Sequence, residues 1–404
     1  MTSGKWNMDA VRAITAIAVL LALFGLRRAE VLHGPARRHL DAAAYAGLND
    51  LGLDQKTQNY YQGLMDNTDL DAEVMVKGGL AAAIISKWIS PAALKERLRT
   101  TTIVGSGAGA IAPPPAFIGP NITPNVNVIY TGIPFQSNRW GHRDDDCEKE
   151  KPRGTFRIGL AGGSNEMGNG VERPNIYADF LEKMLNERLG ARNGQEGHEH
   201  YEVLNFGMTA YGMLERVYTV TERMPEFQPD LVLISVTVYD LGWLVYDHAA
   251  DKIFERRDLH YDFLKQIADR ARATPADGLK LLKMKMKRFR TPLLEGCFEE
   301  LRTFSDRTGI PVAVLVLRLS VSQVHANLLW EARAVERHGL IPLRIFDAYE
   351  GQDPDLIYLD PMRDHHPTPL GHRRIAEEIY AKMMAEPRLR PLLLGESKGG
   401  RLAP

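Results

Sequence analysis

From Thr155 onward the chain alternates short β-rich runs with amphipathic helical stretches, and this alternation constrains the fold more than any other feature. The β-rich runs fall at 156–161, 201–206, 230–236, 311–317 and 342–346. Between the first two, the stretch 176–189 carries Ile176, Tyr177, Phe180, Leu181, Met184, Leu185 and Leu189 on one helical face. Strands that alternate with helices predict a parallel sheet covered on both sides. The expected fold class is therefore α/β, a three-layer α/β/α sandwich on five parallel strands. Crossovers in such sheets are right-handed, and binding sites gather beyond the carboxyl ends of the strands. Any chemistry is expected on the loops that follow the runs.

Three of those loops carry reactive or ligand-facing residues. After the first run stands Gly162-Gly163-Ser164-Asn165-Glu166-Met167-Gly168. A serine between glycines at a strand-to-helix turn can be thrust out as a nucleophile, with its own amide facing a developing oxyanion. An ordinary tight turn or a phosphate-binding loop would use the same residues. After the second run stands Asn205-Phe206-Gly207-Met208, where a glycine lets the backbone approach a substrate or simply turns the chain. Near the carboxyl end stands Asp364-His365-His366-Pro367-Thr368-Pro369-Leu370-Gly371-His372. Thr368 and Pro369 predict a helix cap and first turn, with a helix over 370–384. The preceding histidines then sit on a loop, where one can act as a general base if a carboxylate orients it. A helix-capping histidine, or a metal site from Asp364, His365, His366 and His372, are the competing readings, the second hindered by Pro367 and the helix start.

Taken together these blocks resemble the SGNH/GDSL hydrolases, over roughly residues 130 to 386. Gly162-Gly163-Ser164 is similar to the nucleophile block in its G-G-S form, Gly207 to the oxyanion glycine, and Pro229-Asp230-Leu231-Val232-Leu233 to the third strand. Asp364-x-His366-Pro367 with Gly371-His372 resembles the acid/base block. Ser137-Asn138-Arg139-Trp140-Gly141-His142-Arg143 resembles the lead-in of exopolysaccharide-linked members. The resemblance implies a flavodoxin-like domain and a serine esterase, with Ser164 as nucleophile, His366 as base and Asp364 as its orienting acid. It also implies an oxyanion hole from Ser164 and Gly207, and no metal or organic cofactor. The implied partner is an acylated, foremost acetylated, carbohydrate or a small ester. An O-acyltransferase and a non-catalytic carbohydrate-binding or scaffolding module are the rivals.

Two departures bear on these roles. The run Thr237-Val238-Tyr239-Asp240 places Tyr239 where the family has an asparagine oxyanion donor. A phenol donates one bond, from farther away and at another angle. Losing one such donor costs about 2.7–4 kcal/mol of barrier. Arg363 stands three residues before His366, where the commonest pattern has aspartate. Asp364 takes that part, with Asp360 as the fallback.

Ahead of this domain, residues 13–26 carry no charge between a basic head and Arg27-Arg28. That core is short for a spanning helix, which needs about 20 apolar residues. It is read as an uncleaved signal anchor (1–30), against a cleaved signal or a helix docked on the protein's own core. The expected order is then a helical spacer (31–100), a Gly/Pro linker (101–129), the hydrolase-like domain (130–390) and a tail (391–404). The bulk is expected outside the cytoplasm, in the periplasm or cell envelope. Within 101–110, Gly105-Ser106-Gly107-Ala108-Gly109-Ala110 mimics a dinucleotide-binding turn, but Pro113, Pro114 and Pro115 forbid the helix that motif needs. Fifty basic against 51 acidic residues give no global field for nucleic acid. Two cysteines, Cys147 and Cys297, are too few for a disulfide scaffold or a Cys-ligated zinc site. Lys280, Lys283, Lys285, Lys287, Arg288 and Arg290, interleaved with apolar residues, form a basic cluster suited to a solvated helix face or to anionic lipid or polysaccharide.

Overall fold

Five strands build the centre of the molecule: β1 (Thr155–Ala161), β2 (His200–Asn205), β3 (Leu231–Thr237), β4 (Val312–Leu317) and β5 (Ile341–Ile345). They form one parallel sheet in the order β2-β1-β3-β4-β5. The computed structural model describes residues 111–112, 117–118, 121–122, 124–130, 133–190, 197–319, 325–361 and 364–396. The expected signal anchor, the helical spacer, the Gly-rich turn at 101–110 and the end of the tail lie outside the described residues. Among the described residues no helix is long and apolar enough to cross a membrane.

All residues of β1, β3 and β4 are buried, as expected where both faces of a parallel sheet are covered. The covering helices are α1 (Ser164–Met167), α2 (Tyr177–Leu189), α3 (Met213–Tyr218), α4 (Val245–Phe254), α5 (Asp262–Ala271), α6 (Gly278–Lys287), α7 (Arg290–Thr308), α8 (His325–Arg337) and α9 (Pro369–Ala385). Side chains alternate across a strand. On β1, Phe156, Ile158 and Leu160 face one way and pack with Leu181 and Leu185 of α2 and Ile375 and Ile379 of α9. On the other face, α3, α7 and α8 close the sandwich, with α4 and α5 packed on α7 and α6 packed on α4. The five expected strands, and the helices expected over 176–189 and 370–384, match those found to within one residue at each end. Thr368 caps α9 by accepting the Gly371 N–H at 3.3 Å, a contact worth about 1 kcal/mol.

The stretch read as a linker holds ordered pairing. Ile111–Ala112 runs antiparallel to Asn121–Ile122, and Asn127–Tyr130 to Ile133–Gln136. The basic cluster is partly spent on the fold itself. Lys283 meets Asp247 at 2.8 Å, and Lys285 meets Asp277 at 2.6 Å. Lys280, Lys287 and Arg288 stay exposed beside Leu281 and Met284, on the solvent face of α6. Cys147 and Cys297 are free thiols.

The order β2-β1-β3 places the reversal of chain direction across the sheet at β1 and β3. The crevice of an open α/β sheet lies at such a point, outside the carboxyl ends of the strands. All three loops singled out from the sequence lead to this edge.

Candidate active site

The turn after β1 is shaped by one carboxylate. Glu166, buried in α1, accepts the Gly163 N–H and the Tyr177 hydroxyl, each at 2.5 Å. Its side chain folds back over Gly162 so closely that a β-carbon there would lie 1.9 Å from Glu166 Cγ. Only glycine fits that approach. The next residue, Ser164, opens α1 and is nearly buried. At the other end of α1, the buried Arg143 donates to the carbonyls of Met167 (3.0 Å), Gly168 (2.5 Å) and Val171 (2.7 Å). The lead-in arginine therefore satisfies the orphan carbonyls of the helix that carries Ser164.

The acid/base block forms a hairpin of β6 (Tyr358–Asp360) and β7 (Asp364–Pro367). It brings His366 across the whole sequence to the serine: His366 Nε2 lies 2.7 Å from Ser164 Oγ. The opposite ring nitrogen, Nδ1, lies 2.5 Å from Asp364 Oδ1, which also accepts the His366 backbone N–H at 3.0 Å. Burial works to raise the Asp364 pKa, but the hydrogen bond and charge of His366 outweigh it and hold the carboxyl below its ordinary value. Asp364 is therefore an anion across the neutral range. An Nδ1–H donated to it leaves Nε2 as the acceptor for the serine proton. Asp360 is the register partner of Asp364 in the hairpin, and the imidazole's carboxylate bond is to Asp364.

The other histidines of the block are differently engaged. His365 Nε2 lies 3.0 Å from the Pro361 carbonyl, and His372 Nδ1 accepts the Tyr177 N–H at 3.3 Å. Burial, with the charges of His366 and Arg143, pushes His372 down to about 3, so its ring is neutral. The imidazoles do not converge, and no group of three or more metal-ligating side chains occurs among the described residues.

The structure corrects the reading of Gly207. Its N–H is not presented to a ligand, because it donates to Asn205 Oδ1 at 2.9 Å in an Asx turn. Asn205 Nδ2 in turn donates to the Glu166 carbonyl at 2.6 Å. Gly207 is needed for packing: a β-carbon there would stand 2.4 Å from the Met167 nitrogen. The loop that follows turns over the nucleophile block. Met208 donates its N–H to the Gly162 carbonyl (3.2 Å), and Ala210 adopts φ +62°. The Tyr211 carbonyl oxygen lies 3.4 Å from where a Gly163 β-carbon would stand. Tyr239 stands just beyond the carboxyl end of β3, half-buried against the cluster on the α2/α9 face.

No family model matches this chain, and no curated protein matches it. Solved structures do. A G-D-S-L family protein from Desulfitobacterium hafniense is 12% identical, over 56% of this chain and 99% of its own, with a TM-score of 0.32. The lipase/acylhydrolase from Enterococcus faecalis is also 12% identical, over 57% of this chain and 96% of its own, at 0.34. The acetylxylan esterase Axe2 from Geobacillus stearothermophilus is 14% identical, over 56% and 93%, at 0.36. At such identities and scores, the functional reading rests on the site's own geometry.

Sequence reasoning missed the buried charges behind the site. Arg216 reaches Asp240 at 2.9 Å and the Ser235 carbonyl at 3.0 Å. The same Asp240 carboxylate accepts from the Thr237 N–H and hydroxyl, which fixes the turn after β3. Burial opposes charge on Arg216, but Asp240 and Glu166 outweigh it and raise its pKa. The guanidinium also flanks the nucleophile turn, 2.9 Å from a Gly163 β-carbon. A glutamate and an arginine adjacent on a helix, Glu215-Arg216, read as solvated in sequence. Only the fold shows that both are buried.

Proposed function

We propose that this chain is a serine ester hydrolase of the SGNH/GDSL kind, acting on acyl, foremost acetyl, esters of a carbohydrate or envelope polymer. The observation that carries the reading is the line from Ser164 Oγ through His366 to Asp364, with bonds of 2.7 and 2.5 Å. Ser164 Oγ attacks the ester carbonyl while His366 Nε2 takes the hydroxyl proton. Asp364 holds the ring in the competent tautomer and stabilises the imidazolium. The negative charge develops on the carbonyl oxygen, facing the Ser164 N–H, which lies outside the intrahelical ladder as the first of α1. Tyr239, just beyond the carboxyl end of β3, is the further candidate donor. His366 then gives its proton to the departing alkoxide, leaving the acyl group on Ser164. Water, deprotonated by the same histidine, attacks the acyl-serine and releases the acid.

The test is covalent labelling of the full chain with a fluorophosphonate. Modification at Ser164 is expected, together with release of acetate from an acetylated sugar in water. Labelling with transfer to a sugar acceptor in place of acetate release would move the assignment to an O-acyltransferase. No labelling and no turnover on a panel of surrogate esters would leave a binding or scaffolding module.

The uncharged run 13–26 between basic flanks supports membrane anchoring, with the catalytic domain outside the cytoplasm. The full chain is then expected in the membrane fraction, and a chain lacking residues 1–30 in the soluble fraction. Recovery of the full-length protein in the supernatant without detergent would refute the anchor.

A further inference from the structure

A second buried network stands behind loop 208–212, apart from the Ser164–His366–Asp364 line. Its centre is Glu215, at the third position of α3. One oxygen, Oε2, accepts the Gly212 N–H at 3.1 Å and meets His248 Nδ1 at 2.7 Å. The other, Oε1, meets Lys252 Nζ at 2.5 Å. Glu215, His248 and Lys252 are 3%, 5% and 4% exposed. Burial disfavours charge on Glu215 and on His248. Yet His248 and Lys252 hold Glu215 below its ordinary pKa, and Glu215 in turn holds His248 above its own. The three side chains form one buried salt-bridged group, in which each member relies on the others for solvation.

Lys252 has a further partner that arrives from far away in sequence. Its Nζ donates to the Phe117 carbonyl at 2.8 Å and lies 4.4 Å from the centre of the Phe117 ring. Phe117 is itself buried, stacked on Tyr218 at 5.2 Å and set edge-on to Tyr261 at 5.4 Å. Beside it, the Ile118 carbonyl accepts from Arg257 at 2.9 Å. A continuous path of polar contacts thus runs from the Phe117 carbonyl, through Lys252 and Glu215, to the Gly212 amide. Gly212 closes the loop whose Tyr211 carbonyl lies against Gly163, one residue before the nucleophile.

We propose that Glu215 is a positioning residue for the active-site loop, and that Lys252 fastens it to Phe117, so that the packing of Phe117 and the placement of the loop are coupled. The inference rests on the esterase reading above. Neither residue touches the reacting atoms; each acts by holding loop 208–212 against the nucleophile turn. A structural role alone would lower stability and leave turnover per folded molecule unchanged. A positioning role lowers kcat.

The experiment compares full-chain variants on one surrogate ester, with kcat, KM, fluorophosphonate labelling rate and thermal melting read for each. Glu215→Gln and Lys252→Met are expected to lower kcat by about 10-fold or more, with KM within about two-fold, because misplacing a catalytic group by an ångström can cost up to about 10²-fold. Lys252→Arg, which keeps the cation, is expected to recover kcat to within about three-fold of wild type. Phe117→Ala keeps every charge in place and is expected to lower kcat by about three-fold or more, and to add little to Lys252→Met, since coupled sites are non-additive. Folded variants with wild-type kcat and labelling rate, or strictly additive effects of Phe117→Ala and Lys252→Met, would overturn the proposal. Where the charge variants do not fold, Phe117→Ala alone decides by the same kcat criterion. Wild type that neither labels nor turns over ester fails at the first control, which removes the esterase reading and this inference with it. Active wild type with indifferent variants removes only this inference.

Discussion

Replacing Ser164 by alanine is expected to lower kcat on an ester surrogate by about 10⁴-fold or more, with the protein still folded. In the proposed mechanism the serine oxygen bonds to the acyl carbon, so no neighbour substitutes for it. His366 Nε2 loses its partner at 2.7 Å in the same step. Residual turnover then reflects substrate held against the oxyanion donors and attacked by water. The stability change is small by comparison. One buried hydrogen bond is lost, worth about 1 kcal/mol, a shift of a few degrees in melting temperature for a chain of this size. The measurement is steady-state kinetics beside thermal melting, with fluorophosphonate labelling as a second readout. Activity in Ser164→Ala within a few-fold of wild type, or labelling at another residue, would remove the nucleophile assignment.

The sheet was legible because its signals are local and repeated. Buried parallel strands read as short apolar runs, and α2 and α9 each show one apolar stripe. The Thr368-Pro369 start of α9 is likewise written in two adjacent residues. The reactive residues are legible because topology gathers strand ends, so a serine and a histidine 202 positions apart fall on one edge. What stayed hidden depends on which partner a backbone or buried side chain finds. Gly207 reads as a free amide in sequence, yet Asn205, two residues earlier, takes that amide in an Asx turn. Glu215, Arg216, His248 and Lys252 are ordinary helix-surface residue types, and their burial follows from α3 and α4 packing beside α7. Pattern at period 3.6 cannot announce a charge that is buried because its counter-charge is buried with it. Likewise the proline-rich stretch before the sheet reads as linker, whereas Phe117 and Ile118 are held by Lys252 and Arg257 from α4 and just beyond it.

Asp364→Asn is expected to lower kcat by about 10⁴-fold, and Asp360→Asn by no more than a few-fold. The contrast turns on which carboxylate bonds the imidazole. Asp364 Oδ1 accepts from both the backbone and the ring of His366, at 3.0 and 2.5 Å. An asparagine there presents an amide that can donate to Nδ1, which reverses the tautomer and puts the proton on Nε2, where it blocks acceptance from Ser164. That error alone costs about 10⁴ in turnover in a serine triad. It also removes the negative charge that stabilises the imidazolium formed in the transition state. Asp364 is held below its ordinary carboxylate value, so its charge and the orienting bond persist as pH falls through the usual carboxylate range. They are lost only below that depressed value. Asp360 sits across the β6–β7 register from Asp364, and its substitution leaves both bonds in place. Because the lost interaction belongs to the transition state, kcat should fall with KM nearly unchanged. Kinetics of the two variants on one ester decide between them. A larger loss in Asp360→Asn would transfer the orienting role to that residue, and the 2.5 Å bond to Asp364 would then describe only a resting contact.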